Sequence, residues 1–379
     1  MICVVGAGVA GLLTAAHIKD YSVAIYESLP RAGYRDHCAG IVSVDTCRAL
    51  GATDLIDSAY RSAVISVGPL KFRISCGKHF AVHIDRIGLE LELLRRVLDS
   101  GHRIFFGKLV VSATSSVDGV TLKIANRDNG SAEEIRCSAV IVAEGFNQSL
   151  SRSLGLSAVR EDLVGAQLEV ELEKRVDCEE LKIVFDEKLT PRGFAWVAPI
   201  GDGRRALVGA VRKPPMENPR EFLESIARFM RLEVRSVARM FGGHVFAGYP
   251  KKVVSSDGTA LGVGDCVAMV KSLSGGGLYA ISRAAPQISM LAQGKRCGND
   301  LEKLLRELRN GYRLFKALHS ALRYAPSSRR KLEIDIYLNE LNYDNHVETL
   351  LSMMRTFGTE RMRIRWSSED ADNEVVNSG

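Results

Sequence analysis

Ile2-Cys3-Val4-Val5-Gly6-Ala7-Gly8-Val9-Ala10-Gly11-Leu12-Leu13 stands near the start of the chain, and its reading decides the fold. Ile2 to Val5 form a short apolar run that suits a buried strand, and three glycines follow in a GxGxxG pattern. Leu12, Leu13, Ala16 and Ile18 then mark one face of a helix, and Val23 to Tyr26 make a second buried strand closed by Glu27. In this strand–helix–strand frame Gly6 permits the tight turn, and Gly8 lets the backbone approach a pyrophosphate. Gly11 allows the helix to pack closely on the strand, and the helix N-terminus supplies partial positive charge. Glu27, about 20 residues beyond Gly6, stands where an acid can take a ribose hydroxyl. The frame predicts dinucleotide binding, against the plainer reading of a glycine turn.

A second piece of the same kind lies far along the chain. Leu261-Gly262-Val263-Gly264-Asp265-Cys266 is a strand that delivers an acid, and Ser274-Gly275-Gly276-Gly277-Leu278 is a glycine loop opening a helix. Asp265 suits a sugar-like hydroxyl chain, and the glycines let backbone N–H groups face an anion or a flavin edge. Between the two pieces, residues 62–84 alternate around Gly68-Pro69 as an antiparallel hairpin does. Asp85 to Asp99 has helical spacing, three short strands run to about Arg136, and Ser138 to Ala143 is another buried strand. Val164 to Val211 reads as long alternating strands, followed by a helix near 219–232 and mixed structure to Lys252. Residues 299–365 read as helical, and Ser367 to Gly379 as a polar, acidic, disordered tail.

This order predicts an α/β protein: a Rossmann-type domain from residues 1–61, 81–160 and 253–296, with an inserted antiparallel β-sheet substrate domain from 62–80 and 161–252. C-terminal helices (297–366) and the tail (367–379) complete it. A simple nicotinamide dehydrogenase does not need the return near residue 260; a flavoprotein that buries an extended FAD between two domains does.

Composition sets the outer limits. The 379 residues are 46% hydrophobic and 25% charged, as in an ordinary globular protein of about two domains. No uncharged apolar stretch reaches transmembrane length, and no basic leader precedes Ile2, so no signal peptide is expected. The eight cysteines contain no CxxC pair, which predicts no metal site and reduced thiols in a cytoplasmic protein. A net charge of +6 suits an anionic membrane surface or a phosphate-bearing substrate, and without aromatics interleaved in a basic stripe no nucleic-acid partner is expected.

Together these motifs resemble the FAD-binding fold of the glutathione reductase and hydroxybenzoate hydroxylase type, in which the first GxGxxG holds the ADP half and a late Gly-Asp motif holds the ribityl and pyrophosphate. The resemblance implies that Arg86, in Ile84-Asp85-Arg86, starts a helix near the FAD. It also implies that Ala143 and Gly145, in Val142-Ala143-Glu144-Gly145, touch the cofactor with Gly6, Gly8, Ala10, Gly11, Glu27, Gly264, Asp265, Gly275, Gly276, Gly277 and Leu278. Within that superfamily the chain is similar to the geranylgeranyl reductase family, in His37-Cys38-Ala39-Gly40, in Phe194-Ala195-Trp196-Val197-Ala198-Pro199, and in Gly248-Tyr249-Pro250 ahead of the flavin loop. Departures are Phe194 for the usual tyrosine, Cys266 and Val267 for smaller residues, Ser272 for a proline, an added Lys271, and only Cys297 beyond the flavin loop.

The family likeness implies reduction of isoprenoid double bonds on a lipid or prenyl diphosphate by hydride from reduced flavin. Electrons would come from NAD(P)H or a small carrier, since no second GxGxxG is evident. Cys38, Ala39 and Gly40 are expected beside the flavin, and Cys38, His37 and Tyr249 are the candidate catalytic residues. Phe194 and Trp196, two apart on one strand, face the same side; with Pro199 and Lys271 they are the candidate substrate contacts. Lys271 has three readings: a charge beside the flavin's pyrimidine edge, a partner for substrate phosphate, or a solvated loop residue. Arg323, Arg329, Arg330 and Lys331 beside apolar residues are expected to give basic C-terminal helices a peripheral membrane contact. A flavin monooxygenase on the same fold, and a non-catalytic flavin-binding protein, are the competing functions.

Overall fold

The structure is a computed structural model that describes residues 1–35, 38–116, 118–127, 129–324, 330–356 and 358–368. A five-stranded parallel sheet carries the strands Ala260–Gly262, Ala139–Val142, Ile2–Val5, Val23–Tyr26 and Arg103–Phe105, in that spatial order. Ile2 pairs with both Ala139 and Val23, and Val140 pairs with Ala260. These strands are short apolar runs because the sheet is covered, by a layer of helices and by the three-stranded antiparallel sheet of Lys108–Ser116, Gly119–Asn126 and Ala132–Cys137; Val4, Ile25, Ile141 and Leu261 are fully buried. The helix Val9–Ala16 packs between the helices Arg86–Asp99 and Leu278–Ala292, whose own apolar faces close the layer. The late return of the chain to this sheet is therefore as the sequence indicates.

One cysteine expectation is corrected. Cys3 and Cys137 form a disulfide, while the six other cysteines are free. Cys137 ends the strand Ala132–Cys137, just before Ala139 pairs with Ile2. That register brings the two Cα atoms to 5.9 Å, within the range a disulfide spans.

The second layer is a nine-stranded mixed sheet. Its order is Val234–Lys252, Ser157–Leu172, Arg205–Arg212, Phe194–Ile200, Glu180–Phe185, Ser62–Val67, Leu70–Cys76, Arg330–Leu338 and Met362–Ser368. Three expectations change here. The stretch read as mixed structure to Lys252 is a 19-residue edge strand paired along Ser157–Leu172. Its first two thirds are mostly exposed, so no apolar alternation announced it. The hairpin of residues 62–84 ends at Cys76; Ala81–Ile84 leaves it to pair with Ile41–Ser43 and Ile56–Tyr60 in a small separate sheet. The C-terminal region holds the helices Asp300–Arg323 and His346–Met354, but between and after them come the strands Arg330–Leu338 and Met362–Ser368. The first of these runs parallel to Leu70–Cys76 and buries Ile334, Ile336 and Leu338, with charged Glu333 and Asp335 alternating between them. Arg330 and Lys331 therefore begin a strand, Arg323 ends a helix, and Arg329 lies outside the described residues. The tail beyond Ser368 is also outside them. Among the described residues no helix is long and apolar enough to cross a membrane.

Candidate functional site

The GxGxxG turn is built by close approaches that exclude side chains. Gly6 sits at φ +100° and donates its N–H to Tyr26 O at 2.9 Å. A Cβ there would run into the Ala143 carbonyl, and one on Gly11 would run into the carbonyl of Gly6. Gly8 differs, because a Cβ on it would meet nothing within 4 Å. Gly8 is the N-cap of the helix Val9–Ala16, so open space lies where an anion would meet the first free N–H groups. Glu27 closes the second strand with one carboxylate oxygen accepting from Ala7 N at 2.6 Å and the other from Leu29 N at 2.8 Å.

The late motif meets the early one directly. Gly264 has φ +78°, and a Cβ on it would lie 2.8 Å from that of Ala10. Asp265 follows in the short helical turn Gly264–Val267, and a Cβ on Gly277 would lie 3.4 Å from its Oδ1. Gly277 is the N-cap of Leu278–Ala292, whose first residue Leu278 is buried. Gly275 has φ +66° and approaches the Val245 side chain, and Gly276 approaches the Lys271 chain. Ala143 and Gly145 (φ +70°) follow the strand Ala139–Val142. The structure thus brings the early glycines, Glu27, Ala143, Gly264, Asp265 and the triple glycine to one end of the parallel sheet.

Arg86 stands at the first turn of Arg86–Asp99, capped by Asp85, whose carboxylate accepts from Ile87 N and Gly88 N at 3.0 Å. One guanidinium nitrogen donates to Glu90 at 2.8 Å; the other, Nη1, is buried without a partner. Burial disfavours its charge, but Cys38 and Glu90 outweigh this and hold its pKa above the ordinary value. Cys38 accepts from Gly40 N at 3.5 Å, and Gly40 (φ +68°) lies against the Ile84 carbonyl just before Arg86. Ala39 packs partly buried against the apolar cluster that holds Tyr60, Phe80 and Ala81. His37 lies outside the described residues.

The candidate substrate residues separate into three surroundings. Phe194 and Trp196 do share a face, with ring centroids 5.4 Å apart, and they pack with Leu273, Val245, Tyr312 and Phe315. Trp196 lies over Gly209, where any Cβ would enter its ring, and its Nε1 is buried without a partner. Tyr249 joins the same region through Tyr312, at 5.5 Å between centroids. Pro199 is buried in the sheet, its carbonyl accepting from Tyr60 Oη at 2.7 Å, so it faces core rather than a chamber. Lys271 is not a solvated loop residue: Nζ donates to Asp344 at 3.0 Å and to the Tyr343 carbonyl at 3.2 Å. Burial lowers its pKa, against the pull of Asp344. Asp344 also accepts from the hydroxyls of Ser43 and Thr46. A cavity of about 20 Å3, room for one water, lies between this loop, the helix Asp300–Arg323 and the Asp344–Val347 segment.

Sequence reasoning missed Asp344, Glu90 and Glu161. Glu161 gathers Arg192, Tyr312 Oη at 2.7 Å and Lys316 at 3.2 Å beside the aromatic group. No local motif marks any of the three, because each partner is supplied by a distant part of the chain or by a helix face.

Comparison with known proteins agrees with this architecture, although no family model matches the chain. It is 27% identical over 304 residues to digeranylgeranylglycerophospholipid reductase 2 of Methanothermobacter thermautotrophicus, covering 75% of each chain. A geranylgeranyl bacteriochlorophyll reductase-like protein of Thermoplasma acidophilum superposes with a TM-score of 0.73 at 17% identity, covering 95% of this chain and 96% of that one. A flavin-dependent monooxygenase solved in complex with FAD and substrate superposes at 0.64 and 16% identity, over 85% of this chain and 63% of the other.

Proposed function

We propose that this chain, a relative of the digeranylgeranylglycerophospholipid reductases through three quarters of its length, is an FAD-dependent oxidoreductase that saturates carbon–carbon double bonds of an isoprenoid lipid or lipid precursor. The observation that carries the reading is the aromatic group Phe194, Trp196, Tyr312 and Phe315, which shares one apolar cluster with Leu273 of the glycine loop. A long apolar chain needs such a wall beside the reacting centre, whereas a small polar substrate needs convergent polar groups.

The residues present fit FAD. The open space at Gly8 and the helix N-terminus behind it suit the pyrophosphate, Glu27 suits the ribose, and Asp265 with the Gly275–Gly277 backbone suits the ribityl chain and ring. The buried, unpartnered Nη1 of Arg86 supplies a cation for an anionic group of the same ligand. When bound and reduced, FAD supplies the hydride. The protein's own part is to exclude water with the aromatic wall, align the prenyl chain along it, and hold a proton near the acceptor carbon. Cys38, beside Arg86, and Tyr249, beside Tyr312, are the candidate proton holders. The residue ranges given above for the cofactor and substrate domains, and an electron supply from NAD(P)H or a small carrier, belong to the same proposal.

The test is anaerobic turnover of the reduced holoprotein on a geranylgeranyl-bearing glycerolipid. The expected product gains two hydrogens per double bond. A product that gains an oxygen atom, with oxygen-dependent consumption of NAD(P)H, overturns the reading in favour of a monooxygenase.

A further inference from the structure

One row of residues crosses six strands of the nine-stranded sheet, on the face that meets the glycine loop. In register it runs Phe241, Gln167, Gly209, Trp196, Ile183 and Ile65. Neighbouring strands lie about 4.8 Å apart, so the row is roughly 24 Å long. Phe241, Trp196, Ile183 and Ile65 are partly exposed along it. Gln167 is 3% exposed, and its Oε1 is buried with no hydrogen-bond partner among the described residues. Gly209, between Gln167 and Trp196, has no side chain, and the indole fills its place: Cζ2, Cε2 and Cη2 are the atoms a Cβ there would strike. Cε2 bears Nε1, so the second unpartnered polar atom belongs to the part of the ring that lies over Gly209, the direct neighbour of Gln167. Two buried polar groups, one a donor and one an acceptor, thus stand unpaired in an apolar wall, and each carries a desolvation cost that a partner would offset.

The row lies next to the glycine loop. Two residues before Gln167 on the same face, Gly165 sits under the Val245 side chain, whose other methyl approaches Gly275. The cations held on this face already have carboxylates. On the strand of Gln167, Glu161 takes Arg192 and Lys316, and Glu169 takes Arg205 and Arg239. The two unpartnered groups are uncharged: an indole N–H that donates and an amide oxygen that accepts.

We propose that Gln167 and Trp196 form a subsite for an uncharged hydroxyl of the substrate, which accepts from the Trp196 N–H and donates to the Gln167 oxygen. The hydroxyl is that of a prenyl alcohol or of a glycerol joined to the prenyl chain. A diphosphate does not fit the pair, because it brings charge and acceptors to a carbonyl oxygen that needs a donor. The subsite fixes where along the wall the chain stops, and so which double bond comes to the glycine loop. The inference rests on the isoprenoid-reductase reading for the prenyl part of the ligand.

The experiment is binding to the oxidised, FAD-loaded full chain, followed by the change in flavin absorbance without turnover. The probes are geranylgeraniol, geranylgeranylglycerol, the hydrocarbon with hydrogen in place of the hydroxyl, and geranylgeranyl diphosphate. One of the two hydroxyl-bearing probes should bind at least about tenfold tighter than the hydrocarbon, which leaves both polar groups unpaired. Which of the two it is identifies the hydroxyl. Gln167→Leu and the closer-shaped Gln167→Met should abolish that advantage while keeping hydrocarbon affinity within about twofold of wild type. Their melting temperatures should not fall below the wild-type value, because a buried unpaired amide has been removed. The proposal is overturned when neither hydroxyl-bearing probe outbinds the hydrocarbon, the result expected of a site that holds only water. It is equally overturned when both variants keep the advantage, or when the diphosphate binds tightest. Failure of the reductase reading would show differently, as discrimination that depends on Gln167 without alkene reduction by the reduced protein.

Discussion

Lys271 Nζ lies 3.0 Å from Asp344 Oδ1, and the two side chains are only 6% and 11% exposed. The pair fastens the glycine loop to the C-terminal segment, and through Ser43 and Thr46 the same carboxylate reaches the start of the helix Val44–Leu50. Such a contact decides where the loop stands more than how stable the molecule is, because the desolvation of both ions offsets much of their attraction.

Removing one partner is therefore expected to cost more than removing both. Asp344→Asn or Lys271→Met leaves an uncompensated buried charge and should lower the unfolding free energy by about 3–5 kcal/mol. The combined Lys271→Met, Asp344→Asn variant should recover most of that loss. Urea unfolding of the four proteins, treated as a double-mutant cycle, checks it. Additive losses would mean that the two residues act independently.

Gly6 and Gly8 should fail in different ways. Gly6→Ala places a side chain at φ +100° against the Ala143 carbonyl, so it should destabilise the fold by about 1–3 kcal/mol or more. Gly8→Val enters open space, so the apoprotein should fold with a loss below about 1 kcal/mol while FAD is no longer retained. Thermal melts and flavin absorbance of the purified variants separate the two effects. Full FAD occupancy in Gly8→Val would remove the pyrophosphate assignment.

Gly209 makes the room that Trp196 occupies. Gly209→Val should push the indole out of its place and narrow the aromatic wall. The expected readout is a KM for the prenyl substrate raised roughly tenfold, about 1.4 kcal/mol of binding, with a smaller change in kcat. The protein has two tryptophans and Trp366 is largely exposed, so an emission change in this variant reports on Trp196. An unchanged KM would place the wall away from the substrate.

Glu161 gives the fold an acid-sensitive element. Burial alone would raise its pKa, but Arg192, Tyr312 and Lys316 outweigh it and hold the carboxyl below its ordinary value. A carboxylate with a depressed folded pKa contributes stability that is present above the unfolded value and lost as pH falls through the folded one. The stability gap between wild type and Glu161→Gln should thus be full above about pH 5 and shrink steadily below about pH 4. Denaturant melts across that range measure it; a gap that widens with acid would contradict the sign.

The parallel sheet and its cofactor end were legible because their signals are local and steric. A glycine whose Cβ would strike a carbonyl, as at Gly6, must be glycine in any sequence with that turn, and the strands Ile2–Val5 and Ala139–Val142 are apolar on both faces. The strand Arg330–Leu338 was also written in the residues, as Leu332, Ile334, Ile336 and Leu338 alternating with Glu333, Asp335 and Tyr337. It was overlooked because the leucine-rich helix before it set the expected period. The partner of Lys271 was not legible at all. Ion pairing across 73 residues leaves no periodic trace, and neither does the Cys3–Cys137 pairing across 134.

The order of the strands also sets when the molecule can be finished. The parallel sheet gains its last strand at Ala260–Gly262, and the larger sheet cannot join Leu70–Cys76 to its next neighbour until Arg330–Leu338 exists. A chain growing from the ribosome must hold the edge of Leu70–Cys76 open while some 250 further residues are made, on the order of 10–50 seconds of synthesis. Throughout that interval an unpaired strand edge beside a forming core is exposed to wrong partners. Late closure makes the final third of the chain a condition for the safety of the first.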